Sequence, residues 1–448
     1  MRCAGIGLLL VALCSTRLMA DDVADETLKY WPQWRGPVWN GVAPLGDPPV
    51  QWSETENLQW KTPIEGRGHS TPIVWDGRIF LVTAIAIDKD VPPPYVVPAD
   101  TPRINEHNAV ITTWEPQALV VMCLDHASGK KLWQQTVCEV MPHQGYHWKG
   151  SFASASPITD GQHVYVYFGS FGLYCYDMDG HFVWKKDLGS QAMEDGLGEG
   201  SSPALWGNML VVVVDHELQS FVVAIDKRTG KEIWKQNREE FSNWSTPRIF
   251  EHEGRLQVVV NGETVRSYDL ATGELLWQCS GQSESAIPMP AVGHGLVFAT
   301  SGFAEDTLHA IALGQRGDLT NSKHVVWSLG RGTPYVPCPM LWDEEIYLLE
   351  DRSFFSCLAA ADGERHYFKH RLPGGLSFSS SPVGAADHIY LLSEQGRTVV
   401  LQRGPQLKVL AINELDETFY ASPAIVGNAI YLRGDKHLFA FRKLHAEE

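Results

Sequence analysis

A set of polar, charged and aromatic residues lies just ahead of a short proline motif that recurs along the chain. The motif is two small residues followed by Pro, as in "STP" at Pro72 and "ASP" at Pro157. Three to five residues before the Pro of a motif stand Arg67, His69, Glu199, Asn243, Trp244, Tyr335 and Tyr420. Slightly further upstream lie His147, Lys149 and Arg331. These side chains can hydrogen-bond, pair with charges and stack on flat rings, so they are candidates for a ligand-binding site.

Two other short patterns could do chemistry but match known sites poorly. "HQGYH" places His143 and His147 four residues apart, but without a predicted helix this spacing implies no shared metal ion. "GLGEGS" at residues 196–201 is rich in Gly, yet it does not match G-x-G-x-x-G and no predicted helix follows it. We therefore interpret both as loops and predict no metal site.

The proline motif also reveals the elements that must position the candidate residues. It occurs eight times, at Pro72, Pro157, Pro203, Pro247, Pro290, Pro339, Pro382 and Pro423. Each copy precedes short apolar segments that are separated by Gly, Asn or Asp turns. Four short strands in a unit of about forty residues are typical of a β-propeller blade. We therefore predict an all-β, eight-bladed β-propeller with four antiparallel strands per blade.

The fourth strand of most units carries a Trp whose role we expect to be structural. This position holds Trp133, Trp184, Trp234, Trp277 and Trp327, with Tyr367 and Leu410 in units six and seven. The eighth unit has only three strands after Pro423, whereas "NLQWKTPI" near the start supplies a fourth strand with Trp60. An open blade would leave unpaired edge groups. We therefore expect the N-terminal strand to complete the C-terminal blade and close the ring.

The residues ahead of the propeller resemble an export signal. Arg2 precedes the apolar run "IGLLLVALC", and "LMA" offers a cleavage site after Ala20. We predict a signal peptide over residues 1–20, an extension over 21–56 and a single propeller over 57–448. A lipoprotein signal at Cys14 and an uncleaved anchor are the alternatives. The expected location is the periplasm or the extracellular space, with no membrane-spanning segment after removal of the signal.

Residues 85–117 lengthen the first unit and are predicted to lie beside the candidate residues. This Pro-rich insertion joins the second and third strands of blade one. In a propeller, such loops emerge on the same face as the connections between blades, where the channel opens. We therefore expect the insertion to form a lid or a partner-docking loop there. Other loops of this face, "DHELQS", "GFAEDT" and "EDRS", are acidic.

Composition narrows the possible partners. The chain has 448 residues and a formal net charge of −17, which disfavours nucleic acid and anionic membranes. Six Cys lie beyond the predicted signal. Cys123, Cys175 and Cys357 share one repeat position that other units fill with Ala or Ser, and Cys338 replaces Ser or Thr before a Pro. We expect small buried residues there and no disulfide.

These repeats resemble the pyrroloquinoline-quinone (PQQ) repeat family of β-propellers. The family carries a D-x-x-TG-K-x-x-W docking motif, which appears here as "DKRTGKEIW" and "DLATGELLW". The resemblance covers about residues 57–448. The family contains PQQ-dependent dehydrogenases and also cofactor-free envelope propellers such as BamB, which likewise has eight blades. The resemblance implies the fold more strongly than any chemistry.

Two functions remain open at this point. The first is a monomeric, cofactor-free binding or scaffold protein whose channel mouth takes an envelope protein, peptide or glycan. The alternative is a quinoprotein dehydrogenase with PQQ and Ca²⁺. The resemblance would then make Trp244 the floor under the quinone, Arg67 or Arg331 its carboxylate partner, and Glu199 and Asn243 oxygen donors. An adjacent Cys pair, a C-x-x-C-H haem motif and a catalytic Asp near a proline motif (Asp195 is the nearest) are missing, so we favour the binding protein.

Overall fold

The computed structural model describes residues 26–91, 110–111 and 115–443. The predicted signal peptide and most of the blade-one insertion lie outside these ranges. The described chain folds into eight antiparallel sheets arranged as a propeller, with four strands in each blade and one short extra strand on blade four. Helical structure within the described ranges is limited to the 3₁₀ turns Gly169–Phe171 and Glu194–Gly196 and to Glu26 and Thr27 at their start. The predicted all-β, eight-bladed fold is confirmed.

Each blade runs from an inner strand beside the ring axis to an outer strand at the rim. The strands of blades one and two are Ile73–Trp75, Arg78–Ala86, Gln117–Asp125, Lys131–Val140; and Ile158–Thr159, His163–Tyr167, Leu173–Asp177, Phe182–Lys186. Those of blades three and four are Ala204–Trp206, Met209–Val214, Phe221–Asp226, Glu232–Asn237; and Arg248–His252, Arg255–Val260, Thr264–Asp269, Leu275–Ser280.

The second half of the ring repeats this order. The strands of blades five and six are Ala291–Gly293, Leu296–Ser301, Thr307–Ala312, Val325–Leu329; and Met340–Trp342, Glu345–Leu349, Phe354–Ala359, Arg365–Arg371. Those of blades seven and eight are Val383–Ala385, His388–Leu392, Arg397–Gln402, Lys408–Glu414; and Ala424–Val426, Ala429–Arg433, His437–Arg442, Leu58–Pro63. Gly317–Asp318 extends blade four, and Val110–Ile111 pairs with Tyr146–His147.

The N-terminal strand closes the ring as predicted. Leu58–Pro63 pairs antiparallel with His437–Arg442, and Trp60 stands opposite Ala440. The edge of the C-terminal blade is therefore covered by the chain's own N-terminal strand, which removes an unpaired row of main-chain groups.

The Trp of the repeat motif joins neighbouring blades through a hydrogen bond and a packing contact. The indole N–H of Trp184 donates to the Lys227 carbonyl in the next blade (2.9 Å), and its ring covers Gly230 of the same turn. A Cβ added at Gly230 would lie 2.7 Å from that ring, and its φ of +68° also favours Gly. Trp60, Trp133, Trp234 and Trp327 repeat this arrangement over Gly129, Gly180, Gly273 and Gly363. The Gly and the Trp of the motif therefore belong to one interaction between consecutive blades.

The strand register corrects the residue assigned to the Trp position of blade seven, and the Trp of blade four differs from the others in its hydrogen bonding. Leu410 was expected at the Trp position of blade seven, but Ala411 stands there opposite Val400, and Leu410 is the unpaired residue of the bulge, as Ile233 is in blade three. Trp277 holds the expected position opposite Ser267 and is almost fully buried. Within the described chain its indole N–H has no hydrogen-bond partner, and the extra strand Gly317–Asp318 runs alongside it.

The small residue before each proline has a structural role that the pattern alone did not reveal. Its main-chain N–H donates to the side chain of the equivalent residue in the next blade. Six such bonds occur, from Thr71 to Ser156, Ser156 to Ser202, Ser202 to Thr246, Met289 to Cys338, Cys338 to Ser381 and Ser381 to Ser422. These residues form a buried belt around the channel, and Cys338 acts in it as a thiol counterpart of Ser.

Residues 31–47 of the N-terminal extension fill the central channel, and we call them the plug. Their main chain bonds to inner strands, or to the turns after them, through the pairs Trp31–Val74, Pro32–Thr159, Ala43–Gly384 and Asp47–Gly427. These partners belong to blades one, two, seven and eight. Side-chain bonds from Asn40 to the Leu341 carbonyl and from Arg248 to the Val38 carbonyl add blades six and four. A segment this short reaches so many inner strands only because it lies on the axis.

Two large side chains fix the plug. Trp31 is fully buried, and Arg35 is 1% exposed. The Arg35 guanidinium donates to the carbonyls of Pro382 (2.7 Å) and Asn40 (2.8 Å), which joins blade seven to the plug's own turn. Burying a Trp of this size contributes about 4–6 kcal/mol as an upper estimate. The channel is therefore a packed core along the length of the plug.

Candidate functional site

The candidate residues lie on one face of the ring, which we call the funnel face. It is formed by the connections between blades and by the loops between the second and third strands of each blade. Isolated bridges show that the two sets run side by side, since Arg67 pairs with Ala84 and Phe419 pairs with Gly434. Within the described insertion, Val110–Ile111 pairs with Tyr146–His147 in the connection from blade one to blade two. The chain path therefore brings residues from distant blades to a common surface.

Five of the predicted residues lie together at the junction of blades eight, one and two. His69 is the centre of this cluster. Its Nδ1 lies 2.7 Å from the Lys149 carbonyl and its Nε2 lies 3.3 Å from the Asp435 carboxylate. Its ring centroid is 4.6 Å from that of Tyr420. The remaining members are Arg67 and His147.

The connection at residues 146–150 holds these side chains in place. The Arg67 guanidinium donates to the carbonyls of Gly150 (3.1 Å) and Trp148 (2.5 Å). Lys149 forms an ion pair with Glu394 of blade seven at 2.8 Å, so it spans the junction. Trp148 remains 44% exposed and meets Tyr420 edge to face. The junction thus presents an aromatic surface over a hydrogen-bonded base.

Burial controls the ionisation of this cluster. It lowers the pKa of His69, against the opposing effect of the Asp435 carboxylate. Burial also opposes ionisation of Asp435, but the His69 hydrogen bond and nearby positive charges bring its pKa below the ordinary value. Arg433 is 1% exposed, and within the described residues its guanidinium has no hydrogen-bond partner. Its pKa falls to about 10 because burial outweighs the charges of Asp435 and Glu417.

A groove opens beside this junction, between blades seven and eight. It has a volume of about 540 Å³ and is lined by Gln395, Glu414, Leu415, Asp416, Glu417, Thr418, Asp435 and Lys436. Three of its four carboxylates already have partners, which are Arg397 for Glu414, the His437 ring for Glu417 and the His69 ring for Asp435. The groove is therefore acidic in composition but partly neutralised by its own walls.

Glu199 and Asn243 lie elsewhere, around a narrow cavity of about 30 Å³ between blades two, three and four. Glu199 accepts hydrogen bonds from the main-chain N–H (2.7 Å) and the hydroxyl (2.5 Å) of Ser170. Burial raises the pKa of Glu199, and His143 and Ser170 act in the opposite direction. Asn243 donates to Asp215, which is also paired with the fully buried Arg238 at 2.8 Å. These polar groups satisfy one another inside the protein.

The other three predicted residues occupy further positions. The indole N–H of Trp244 donates to the Gly198 carbonyl (2.6 Å), which ties the wall of the narrow cavity together. Tyr335 lies on the far side of the funnel, 5.6 Å from Phe303 between ring centroids. The Arg331 guanidinium lies 5.8 Å from the ring of Phe368. The predicted residues therefore share a face but form three separate groups.

This arrangement does not fit a bound quinone with Ca²⁺. The carboxylate of Glu199 and the amide of Asn243 are engaged by the chain's own partners, and the space beside them is far smaller than a tricyclic cofactor. Arg67 and Arg331 belong to different groups. Across the described parts of the chain, no three His, Cys, Asp or Glu side chains are grouped to hold a metal ion.

Several residues of the funnel face were missed in the sequence. Asp435 and Glu394 lie in loops between second and third strands, and Glu194 lies in the connection from blade two to blade three. The loop rule applied to the acidic segments would have found the first two. Trp148 stands next to the predicted His147 and Lys149, so only its exposure remained unknown. The six described Cys are free thiols, and Cys123, Cys175 and Cys357 occupy their expected position.

Comparison with known proteins identifies the fold. Three solved structures share it: BamB from Moraxella catarrhalis (TM-score 0.54, 13% identity, 83% of this chain and 99% of that one); the quinohemoprotein alcohol dehydrogenase of Comamonas testosteroni (0.60, 11%, 96% and 83%); and the computationally designed protein Ika8 (0.51, 12%, 75% and 96%). No curated protein sequence matches the chain. At these identities the similarity shows the fold alone.

A family profile supplies the closer relation. The profile described as "Outer membrane protein assembly factor BamB" matches residues 117–366 and again residues 218–443. No helix within the described ranges is long and apolar enough to cross a membrane. The two matches together span more than half of the chain, so it belongs to the PQQ-like β-propeller family of the BamB type.

Proposed function

We propose that this chain is an exported, non-catalytic binding protein that acts in the cell envelope through its funnel face. The observation that carries the proposal is the contrast between two spaces on that face. The cavity beside Glu199 and Asn243 holds about 30 Å³, whereas pockets that enclose small ligands usually hold about 300–1,000 Å³. The groove of about 540 Å³ on the same face lies within that range, but Leu415 is the one apolar residue of its lining, and the exposed aromatic side chains lie outside it. This geometry favours a partner that lies on the surface.

The plug and the family relation support the same function. With the channel packed from Trp31 to Asp47, the propeller offers a rigid platform, and the funnel face is its concave surface. The matching profile describes an outer-membrane assembly factor, which supports a location in the envelope. The partner classes are an envelope protein, a peptide or a glycan, and the expected state is a monomer.

The second candidate is a PQQ- and Ca²⁺-dependent dehydrogenase. It is favoured by the fold shared with the Comamonas testosteroni enzyme. Such a site would have to release Glu199 from Ser170 and Asn243 from Asp215, and it would have to open a cavity under Trp244. Breaking those buried hydrogen bonds costs about 1–3 kcal/mol for each group left unpaired.

Calorimetric titration separates the two functions. The chain from residue 21 onward is titrated with PQQ in Ca²⁺ buffer, and reduction of an artificial electron-acceptor dye is assayed in parallel. We expect neither stoichiometric heat nor dye reduction. Stoichiometric binding that is lost in Trp244→Ala and retained in Trp206→Ala, which changes a 38%-exposed Trp in an inner strand, would establish the dehydrogenase instead.

A further inference from the structure

An apolar patch interrupts the acidic funnel face at blades three to six. Phe241 is 64% exposed, Leu218 is 59% exposed and Phe303 is 53% exposed. Phe241 lies in the connection from blade three to blade four, and the other two lie in loops between second and third strands. Large apolar side chains that stand together in water on a soluble protein mark a surface for a partner.

Hydrogen bonds join the loops that carry this patch. The Glu217 carboxylate accepts from the main-chain N–H (3.1 Å) and the hydroxyl (2.7 Å) of Ser242, which brings the Leu218 and Phe241 loops side by side. The Ser242 hydroxyl also accepts from the main-chain N–H of Glu194 (2.8 Å). The Glu194 carboxylate then accepts from the Ser285 hydroxyl (2.8 Å). The loops thus form one connected surface.

Tyr335 completes this surface on the side of blades five and six. Its ring lies 5.6 Å from that of Phe303, and burial together with the charges of Glu194 and Asp351 raises its pKa to about 12. The main-chain N–H of Ser283 donates to the Ser301 hydroxyl (2.8 Å), so the connection that carries Ser285 also packs against the loop that carries Phe303.

The charge of this surface is strongly one-sided. Residues 194–195, 215–220, 238–244, 282–287 and 302–306 carry nine carboxylates. Asp215 is buried against Arg238 and Glu240 against Arg266, whereas the other seven form no ion pair within the described residues. Burial raises the pKa of Glu194, and the carboxylates of Glu217, Glu284 and Asp195 raise it further. A cation placed among these groups would relieve their mutual repulsion. The groove between blades seven and eight lacks this feature because most of its carboxylates are already paired.

We propose that this surface docks a polypeptide segment that carries Lys or Arg beside large apolar side chains. The proposal rests on the proposed binding function and names its partner class and its place on the face. The apolar side chains Leu218, Phe241 and Phe303 anchor the segment, and the surrounding carboxylates orient it and accelerate its association. A glycan would leave Leu218 without an apolar partner.

A defined peptide tests the surface. The probe is a fluorescein-labelled amphipathic peptide of Leu and Lys, followed by anisotropy with the chain from residue 21 onward. The double variant Leu218→Ser with Phe241→Ser should bind it at least tenfold more weakly. The matched control is Phe182→Ser with Val183→Ser, which changes two exposed residues at the rim (58% and 42% exposed) and should stay within twofold of the unaltered protein. A peptide of Leu and Glu should bind at least tenfold more weakly than the Leu and Lys peptide.

The proposal is overturned if the patch variant binds the Leu and Lys peptide as the unaltered protein does. It is also overturned if the Leu and Glu peptide binds equally well, or if neither peptide binds at millimolar concentration. Hydrogen exchange with the peptide bound should protect residues 215–220, 238–244 and 302–306. Protection of the groove between blades seven and eight would reject this surface and leave the binding function standing. Stoichiometric PQQ binding in the calorimetric titration would reject the function itself.

Discussion

His69 is positioned by groups from the connection between blades one and two and from blade eight with the connection that precedes it. The Lys149 carbonyl holds Nδ1, the Asp435 carboxylate lies at Nε2, and Tyr420 covers the ring. None of these partners is near His69 in the sequence. The ionisation of this imidazole therefore reports on whether the junction of blades eight, one and two is assembled.

The pH dependence of stability should reveal this coupling. Because burial lowers the pKa of His69, the unfolded chain takes up this proton at a higher pH than the folded protein does. The free energy of unfolding should fall as the pH drops below about 6.5, by at most about 1.4 kcal/mol per pH unit for this group. Asp435, whose pKa is also lowered, adds its loss only nearer pH 4. Urea unfolding at pH values between about 7 and 5 measures this dependence. The free energy of unfolding should fall less steeply with falling pH in His69→Gln than in the unaltered protein.

His181 provides a control of opposite sign. This exposed residue has its pKa raised by the Asp177 carboxylate, so its contribution is present below about pH 6.5 and lost above it. His181→Gln should therefore leave the acid-side slope unchanged or slightly steeper. An unchanged slope in His69→Gln would show that His69 titrates alike in both states.

The sequence predicted which residues lie on the funnel face, but it did not predict which of them contact one another. His69 and Tyr420 each precede a proline motif, and that rule brings both to the channel mouth. Which blades face one another is also fixed by the repeat. The rule gives no side-chain direction, however, so it could not show that Glu199 turns inward to Ser170 while Trp148 turns outward.

At the scale of the element, the contact between Trp and Gly explains how blades of different sequence dock alike. In five blades the turn before the outer strand has a Gly with positive φ, and that Gly also leaves room for the indole from the preceding blade. The Trp and the Gly of the repeat motif are therefore explained by one contact between two neighbouring blades. The number of blades was predicted from the eight proline motifs, which are present in every blade, whereas the Trp and Gly motif is not.

Substitution of this Gly should separate steric overlap from backbone strain. Gly230→Ala places a Cβ 2.7 Å from the Trp184 ring at a φ of +68°. The control Gly207→Ala has a similar φ of +57° but no atom within 4 Å. We expect Gly207→Ala to cost about 1 kcal/mol, as for ordinary left-handed strain, and Gly230→Ala to cost about 1–3 kcal/mol more because of overpacking. Equal losses in chemical denaturation would show that the Trp moves aside freely.

In blade seven the repeat pattern did not identify the residue at the Trp position. The outer strands of all eight blades have the same bulge next to the Trp position, so the bulge does not set blade seven apart. In blade seven neither Leu410 nor Ala411 has the size of a Trp to mark the position. Positions in blade seven could therefore be assigned from the sequence only to within one residue.

For the molecule as a whole, the plug was the largest feature that the sequence did not reveal. Residues 31–47 show neither helical nor strand periodicity, because their polar main-chain groups bond singly to many different blades. A segment without such periodicity is typical of a linker. Its three Trp residues were the available sign that it is packed rather than solvated.

Truncation of one plug residue should destabilise the entire ring. Trp31→Ala removes a fully buried side chain between the plug and blade one and should cost about 3–5 kcal/mol. Leu45→Ala lies in the same segment but is 59% exposed, so its cost should stay below about 0.5 kcal/mol. Thermal unfolding followed by tryptophan fluorescence compares them. A single transition, shifted to lower temperature in Trp31→Ala, is expected, and similar midpoints in the two variants would show that the plug does not support the ring.

Ring closure also sets the order in which the molecule can be completed. In the closing strand, Gln59 accepts a hydrogen bond from Arg442, which is 383 positions away. Because two such distant segments must meet, ring closure carries a large loop-closure entropy cost. We therefore expect this non-local pairing to limit the rate of folding. Leu58–Pro63 is synthesised early, yet its partner strand His437–Arg442 comes almost last. Until these two strands of one chain have paired, the open edge at His437–Arg442 can pair with the N-terminal strand of another copy, so domain swapping is the characteristic error of this architecture.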